Sequence, residues 1–187
     1  MAAKSPREVP VRTILTDNPM DEEDDEAAKA ILRPCFEVVG QIASAWSHVE
    51  QLIDDTIWSL AEVRHDRGAC ITSQLQSLYP RFRALSALVE LRGAEKSLLK
   101  EIEATSNAGM ALAKERNRAV HDPIGYHMNK KKAIVHKITA DKELIMDLFP
   151  FNLEEYIKIR NKIIAYERRI LKLRDAIYDE FLPFADR

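Results

Sequence analysis

Residues 152–181 read NLEEYIKIRNKIIAYERRILKLRDAIYDEF, and this stretch decides the fold. Tyr156, Ile159, Ile163, Tyr166, Ile170, Leu173 and Ile177 recur in three- and four-residue steps, the spacing of one helix face. Leu153, Ile157, Ile164, Leu171 and Tyr178 make a second apolar stripe on the same helix. Asn152 is suited to cap the backbone, Glu155 completes a variant of the capping box, and Pro183 stops the helix just beyond Phe181. Two stripes bury more than one helical core needs, so one of them is expected to face a second copy of the chain.

The same period holds upstream. From Pro34, a residue suited to a first helical turn, apolar side chains return at Phe36, Val39, Ile42, Trp46, Val49, Ile53, Ile57 and Leu60, which predicts a long helix ending near Arg64. A short helical stretch around Ile71 to Leu78 is expected next. After Pro80, Phe82, Leu85, Leu88, Val89 and Leu91 make another helix, ended by Gly93. A third long helix is predicted from about Ala94 to His121, with Leu99, Ile102, Ser106, Gly109, Ala113, Arg116 and Val120 on one stripe. Pro123 keeps Asp122 out of the helical conformation and sets that helix end. Ile124, Tyr126 and Met128, then Ile134, His136 and Ile138, alternate around Asn129-Lys130-Lys131-Lys132, as in a β-hairpin. The expected fold is therefore all-α, an up-and-down bundle of four to five helices with a small β-hairpin insertion.

Composition agrees with this and narrows the function. The 187 residues include only 5 glycines, too few for a fold rich in tight β-turns. Cys35 and Cys70 read as ordinary thiols, because a chain this long builds a core without staples. No apolar run approaches a membrane span, and Met1 to Pro10 lacks a signal-peptide layout, so a soluble, cytoplasmic protein is expected, with no membrane partner. Residues 1–32 carry Pro6, Pro10, Pro19 and an acidic run from Asp21 to Glu26, and read as a disordered acidic tail ahead of a helical domain over 33–187. That run also suits the start of a helix toward Ile31.

A net charge of -2 argues against a nucleic-acid coat protein. The charge is uneven, however. Residues 1–33 hold 8 acids against 5 bases, while residues 110–137 hold 7 bases against 2 acids, so a localised anion-binding cleft is compatible with the total. The acidic stretch is then a candidate competitor of an anionic ligand for that cleft.

The chemistry-bearing segment is Lys114-Glu115-Arg116-Asn117-Arg118-Ala119-Val120-His121-Asp122-Pro123. Arg116 falls on an otherwise apolar stripe, where an arginine needs a cleft or an acid. Asn117 and His121 are one turn apart, so three polar groups converge on one helix end. That end of the helix dipole favours a cation. An imidazole serves as general acid or base, and a guanidinium matches phosphate oxygens. The set suits phosphodiester cleavage by a ribose 2′-hydroxyl, and a symmetric dimer would supply the second histidine. In the structural alternative, Arg116 pairs with Glu50 or Asp54 on the first helix, His121 caps backbone carbonyls and Asn117 makes an interhelical hydrogen bond.

Arg116-Asn117-Arg118-Ala119-Val120-His121 resembles the motif of the HEPN superfamily (higher eukaryotes and prokaryotes nucleotide-binding), an Arg, a polar residue and a His near the end of a bundle helix. The layout of residues 34–182, with Glu50 in the first long helix, is similar to that family as well. The resemblance implies homodimerisation that joins two motifs and metal-independent endoribonuclease activity, with Arg116, Asn117 and His121 as catalytic residues. Toxin–antitoxin and phage-defence roles are common in such families, so an antitoxin or regulatory protein is an implied partner beside RNA. Other members only bind RNA, nucleotides or protein, which makes a non-catalytic dimerisation or RNA-binding module the alternative. Pro123 stands where the branch paired with minimal nucleotidyltransferases carries a Tyr.

Secondary candidates are weaker. Arg118, Lys130, Lys131 and Lys132, with Lys137, are candidates to contact RNA backbone, although a lysine tip is equally well explained as a solvated turn. Tyr126 and His127 lie near the motif, and Tyr126 is expected in the core. Trp46 and Glu50 share a helix face. His48 points elsewhere, so no metal site is expected there. No cofactor motif is present.

Overall fold

Helix α1 (Glu22–Leu60) opens on Glu22, Glu23, Asp24 and Asp25, acids that the positive end of the helix dipole favours. A computed structural model describes residues 22–140 and 144–182. The helix takes in residues 22–32, which the sequence reading assigns to the tail, while residues 1–21 lie outside the described residues. Pro34 sits inside α1 rather than at its start. Its ring nitrogen has no hydrogen to give the Ala30 carbonyl, so one intrahelical bond is missing there.

The chain divides into two compact units, one of residues 36–122 and 152 onward, the other of residues 22–35 and Pro123–Phe151. In the first unit, Ile42, Trp46, Val49, Ile53, Ile57 and Leu60 are buried as the period predicts, whereas Phe36 is 54% exposed. Helix α2 (His65–Thr72) and helix α3 (Leu78–Leu91) follow. The short helix expected at Ile71 to Leu78 is displaced to α2, because Ile71, Leu75 and Leu78 imitate a helical period across a turn. Pro80 is tolerated in the first turn of α3, where an N–H would find no intrahelical acceptor. Gly93, at φ +83, closes α3 with its N–H on Glu90 and that of Ala94 on Val89, the paired bonds of a Schellman end. Arg92 reaches back to the carbonyl of Leu60 at 2.7 Å and so satisfies the end of α1.

Helix α4 (Lys96–His121) packs on α3 and on helix α5 (Leu153–Phe181). Asn152 caps α5 through Oδ1, which accepts from the N–H groups of Glu154 and Glu155. The buried side of α5 is Tyr156, Ile163, Tyr166, Ile170, Leu173 and Ile177. Each such burial contributes roughly 1.5–3 kcal/mol for a large aliphatic group. On α4 the buried positions are Ile102, Thr105, Gly109, Leu112 and Ala119, so the expected stripe is rotated off Ser106, Ala113 and Val120.

Gly109 is small for a specific reason. A Cβ there would collide with the Tyr166 hydroxyl and ring, and crowd Leu78. The Tyr166 hydroxyl meanwhile donates to the Thr105 carbonyl at 2.9 Å, and burial raises its pKa. Gly109→Ala should therefore destabilise the fold by about 1–3 kcal/mol in urea titration. Tyr166→Phe removes the nearest clashing atom, so the double variant should lose less than the two single losses combined. Additive losses would show that the two residues do not meet.

The second unit holds an antiparallel sheet in the order β1 (Ile124–His127), β2 (Lys132–Ala140), β3 (Leu144–Pro150). Strands β1 and β2 pair antiparallel, with Ile124 opposite Val135 and His127 opposite Lys132. The chain between them turns through a single 3-10 turn at Met128–Lys130 and a left-handed Lys131. The third strand is an addition. It pairs from Ile134–Pro150 to Ala140–Leu144, which makes the sheet larger than a hairpin. Its run Leu144-Ile145-Met146-Asp147-Leu148-Phe149 lacks alternation, and its partner is chosen by pairing rather than by local pattern. Among the described residues both cysteines are free, and no helix is long and apolar enough to cross a membrane.

Candidate functional site

Arg116, Asn117 and His121 occupy the last two turns of α4. The helix stops there because Asp122, ahead of Pro123, takes an extended conformation at φ -71, ψ 123. The Asp122 N–H still closes the last turn on the Arg118 carbonyl at 3.0 Å. Arg118 and His121 place basic side chains at the negative end of the helix.

Arg116 is half-buried and its guanidinium carbon lies 5.8 Å from the centroid of the Trp46 ring. Its Nη1 donates to Asn117 Oδ1 at 3.0 Å. Its Nε is buried with no hydrogen-bond partner. His121 is exposed, so its ring is accessible to a ligand. Arg118 forms a 3.6 Å ion pair with Asp122 rather than standing free. The structure thus joins Arg116 to Asn117 directly and sets His121 one turn beyond on the same helix side.

Glu50 and Asp54 do not serve Arg116. They are engaged by Arg81 from α3, whose Nε donates to Asp54 Oδ1 at 2.8 Å and whose Nη1 lies 3.9 Å from Glu50 Oε1. The physical reason is position: Arg81 lies on the buried face of α3 with Leu78, Phe82, Leu85 and Val89. Glu50 also accepts the Trp46 indole N–H at 3.0 Å. Burial pushes the Asp54 carboxyl above the usual range, against the pull of Arg81 and of the Thr72 hydroxyl. Thr72 in turn accepts from Trp58 Nε1 at 3.2 Å. The alternative in which Arg116 pairs with these acids is not what the structure shows; Arg116 has an aromatic contact with Trp46 instead.

The hairpin lysines belong to the sheet unit. Lys130 ends the 3-10 turn, Lys131 follows it, and Lys132 opens β2, all three exposed. Lys131 Nζ pairs with Asp24 Oδ1 at 3.2 Å, and that hydrogen bond strengthens its hold on the proton. An acid of the expected tail region is therefore already bound to one lysine of the tip. Lys137 lies 4.9 Å from the Phe149 ring centroid. Tyr126 is half-buried, with its hydroxyl lacking a partner.

Two members of the α4 surroundings escape a sequence reading, Arg81 and Trp46. Arg81 carried the same signal as Arg116, an arginine at an apolar position of a helical stripe. Trp46 is 3% exposed and reads as simple core until its two polar neighbours are seen. Among the described residues no group of three His, Cys, Asp or Glu side chains gathers as a metal site. No family model, no curated protein and no solved structure matches the chain.

Proposed function

We propose that the chain is a metal-independent endoribonuclease of the HEPN type, an up-and-down helical bundle working in the cytoplasm as a homodimer with a shared cleft. The reading rests on one observation above others: among the described residues Arg116 holds no carboxylate, and its Nε is buried without a partner. An unsatisfied buried donor costs about 1–3 kcal/mol, and a guanidinium that no carboxylate neutralises is suited to an anionic ligand at its outer N–H groups. A phosphodiester brings such an anion within reach of the exposed His121.

In the proposed reaction the ribose 2′-oxygen attacks phosphorus and the bond to the 5′-oxygen breaks. The products are a 2′,3′-cyclic phosphate and a 5′-hydroxyl. One proton leaves the 2′-hydroxyl and one reaches the 5′-oxygen, so an acid and a base are both needed. His121 of each subunit supplies one of them, Arg116 stabilises the charge growing on phosphate, and Asn117 orients Arg116. The second stripe of α5 is the favoured dimer surface, since Leu153 is 37% exposed and Ile157, Ile164 and Leu171 are half-buried. Arg118 and Lys130 to Lys132 would contact RNA backbone, and a regulatory or antitoxin protein would restrain the enzyme.

The test is incubation of the purified protein with structured and unstructured RNA in EDTA, beside Arg116→Ala and His121→Ala. Cyclic-phosphate ends from the wild type alone support the proposal. Equal cleavage by all three proteins, or none by any, overturns it. Salt-dependent RNA binding without cleavage would favour a binding module instead.

A further inference from the structure

We infer that Trp46, held by Glu50, is a positioning residue that presents the Arg116 guanidinium to an RNA phosphate; this rests on the proposed cleavage of RNA. Arg81 and Arg116 are held by opposite means. Arg81 is held by carboxylates: its Nε donates to Asp54 Oδ1 at 2.8 Å, and its Nη1 lies in ion-pair range of Glu50 Oε1 at 3.9 Å. Arg116 is held from above by an aromatic face, 5.8 Å from ring centroid to guanidinium carbon. A ring face attracts the cation without accepting the in-plane hydrogen bonds that a phosphate uses.

Trp46 is suited to this because it is buried and its indole is held. It is 3% exposed, and its indole N–H is tied to Glu50 Oε1 at 3.0 Å. Glu50 is in turn near Arg81, whose Nε is on Asp54. A chain of fixed groups thus runs from the buried ion pair through the indole to Arg116. Asn117 Oδ1 accepts from Nη1 and restrains it as well. An arginine side chain left free loses about 2 kcal/mol of rotamer entropy on being fixed, and the clamp removes part of that loss before substrate arrives.

The experiment is a double-mutant cycle in kcat/KM for RNA cleavage in EDTA, run in parallel on the Kd of 2′-O-methyl RNA, which lacks the attacking hydroxyl. Trp46→Leu should lower kcat/KM by about 10- to 100-fold, the scale of a small misplacement of a catalytic group. In the Arg116→Ala background the same change should cost less than about threefold, because its effect passes through Arg116. Trp46→Phe keeps a ring face for the guanidinium but loses the tie to Glu50, so it should lose clearly less than Trp46→Leu and about as much as Glu50→Ala. Should Trp46→Leu fail to fold, Glu50→Ala replaces it in the cycle, with a smaller loss that again vanishes without Arg116.

Losses that multiply equally in both backgrounds mean a merely structural Trp46 and overturn the inference while leaving RNA cleavage intact. If the wild type binds RNA without cutting it, the cleavage proposal fails, and the cycle in Kd decides the inference by the same criterion. Absence of both cleavage and binding overturns both.

Discussion

His121→Ala is expected to slow RNA cleavage by about 10²- to 10⁴-fold, the usual loss when a proton-transfer group is removed. Arg116→Ala should cost about 10²-fold or more, since charge developing on the phosphate would lose its fixed cation. The dimeric arrangement makes a sharper demand. If one cleft needs His121 from both subunits, a mixed dimer of wild type and His121→Ala is inactive. Activity at constant total protein then falls with the square of the wild-type fraction, to about one quarter at equal mixing after subunit exchange. Independent sites would leave about one half. A linear fall, measured after exchange is complete, would remove the shared cleft from the proposal.

Arg81→Met is expected to be the most damaging single change to stability, at about 3–5 kcal/mol in urea titration at neutral pH. It leaves the Asp54 carboxylate buried, with the side chain only 12% exposed, and takes away the 2.8 Å bond that compensates it. The loss should depend on pH in a definite direction. Burial already raises the Asp54 pKa, and removing Arg81 takes away the groups that lower it, so the variant's value rises further. A carboxyl whose folded pKa lies above its unfolded one contributes stability at low pH and loses it as pH climbs through the folded value. The gap between Arg81→Met and wild type should therefore be smallest near about pH 4 and widen toward about pH 7. Arg81→Met combined with Asp54→Asn removes the stranded charge and should recover much of the loss at neutral pH. A gap independent of pH would show that packing, not charge, dominates at Arg81.

Much of the helical layout is legible because its signals are local. Pro123 acts on Asp122 next to it, Asn152 caps N–H groups two and three residues away, and Gly93 ends α3 within its own turn. The apolar stripes of α1 and α5 are read from spacing within one helix. The signals that mislead are also local ones. Ile71, Leu75 and Leu78 carry a helical period across a turn, and the acidic residues after position 21 look unable to order, although they stabilise the end of a helix that continues beyond them.

The site divides along the same line. By itself the sequence determined that Arg116, Asn117 and His121 share one helix end, because helix geometry fixes where side chains one, four and five residues apart lie without help from the rest of the chain. Only the tertiary structure decided their partners. Glu50 and Asp54 were equally available on paper to Arg81 and Arg116, and the packing of α3 hands them to Arg81, leaving Arg116 to the face of Trp46. The third strand was settled the same way, by β2 offering an edge to a run that has no pattern of its own. Period and capping act within a few residues of chain. Ion pairing, ring contacts and strand addition join residues distant in sequence, so they exist only once the chain has folded.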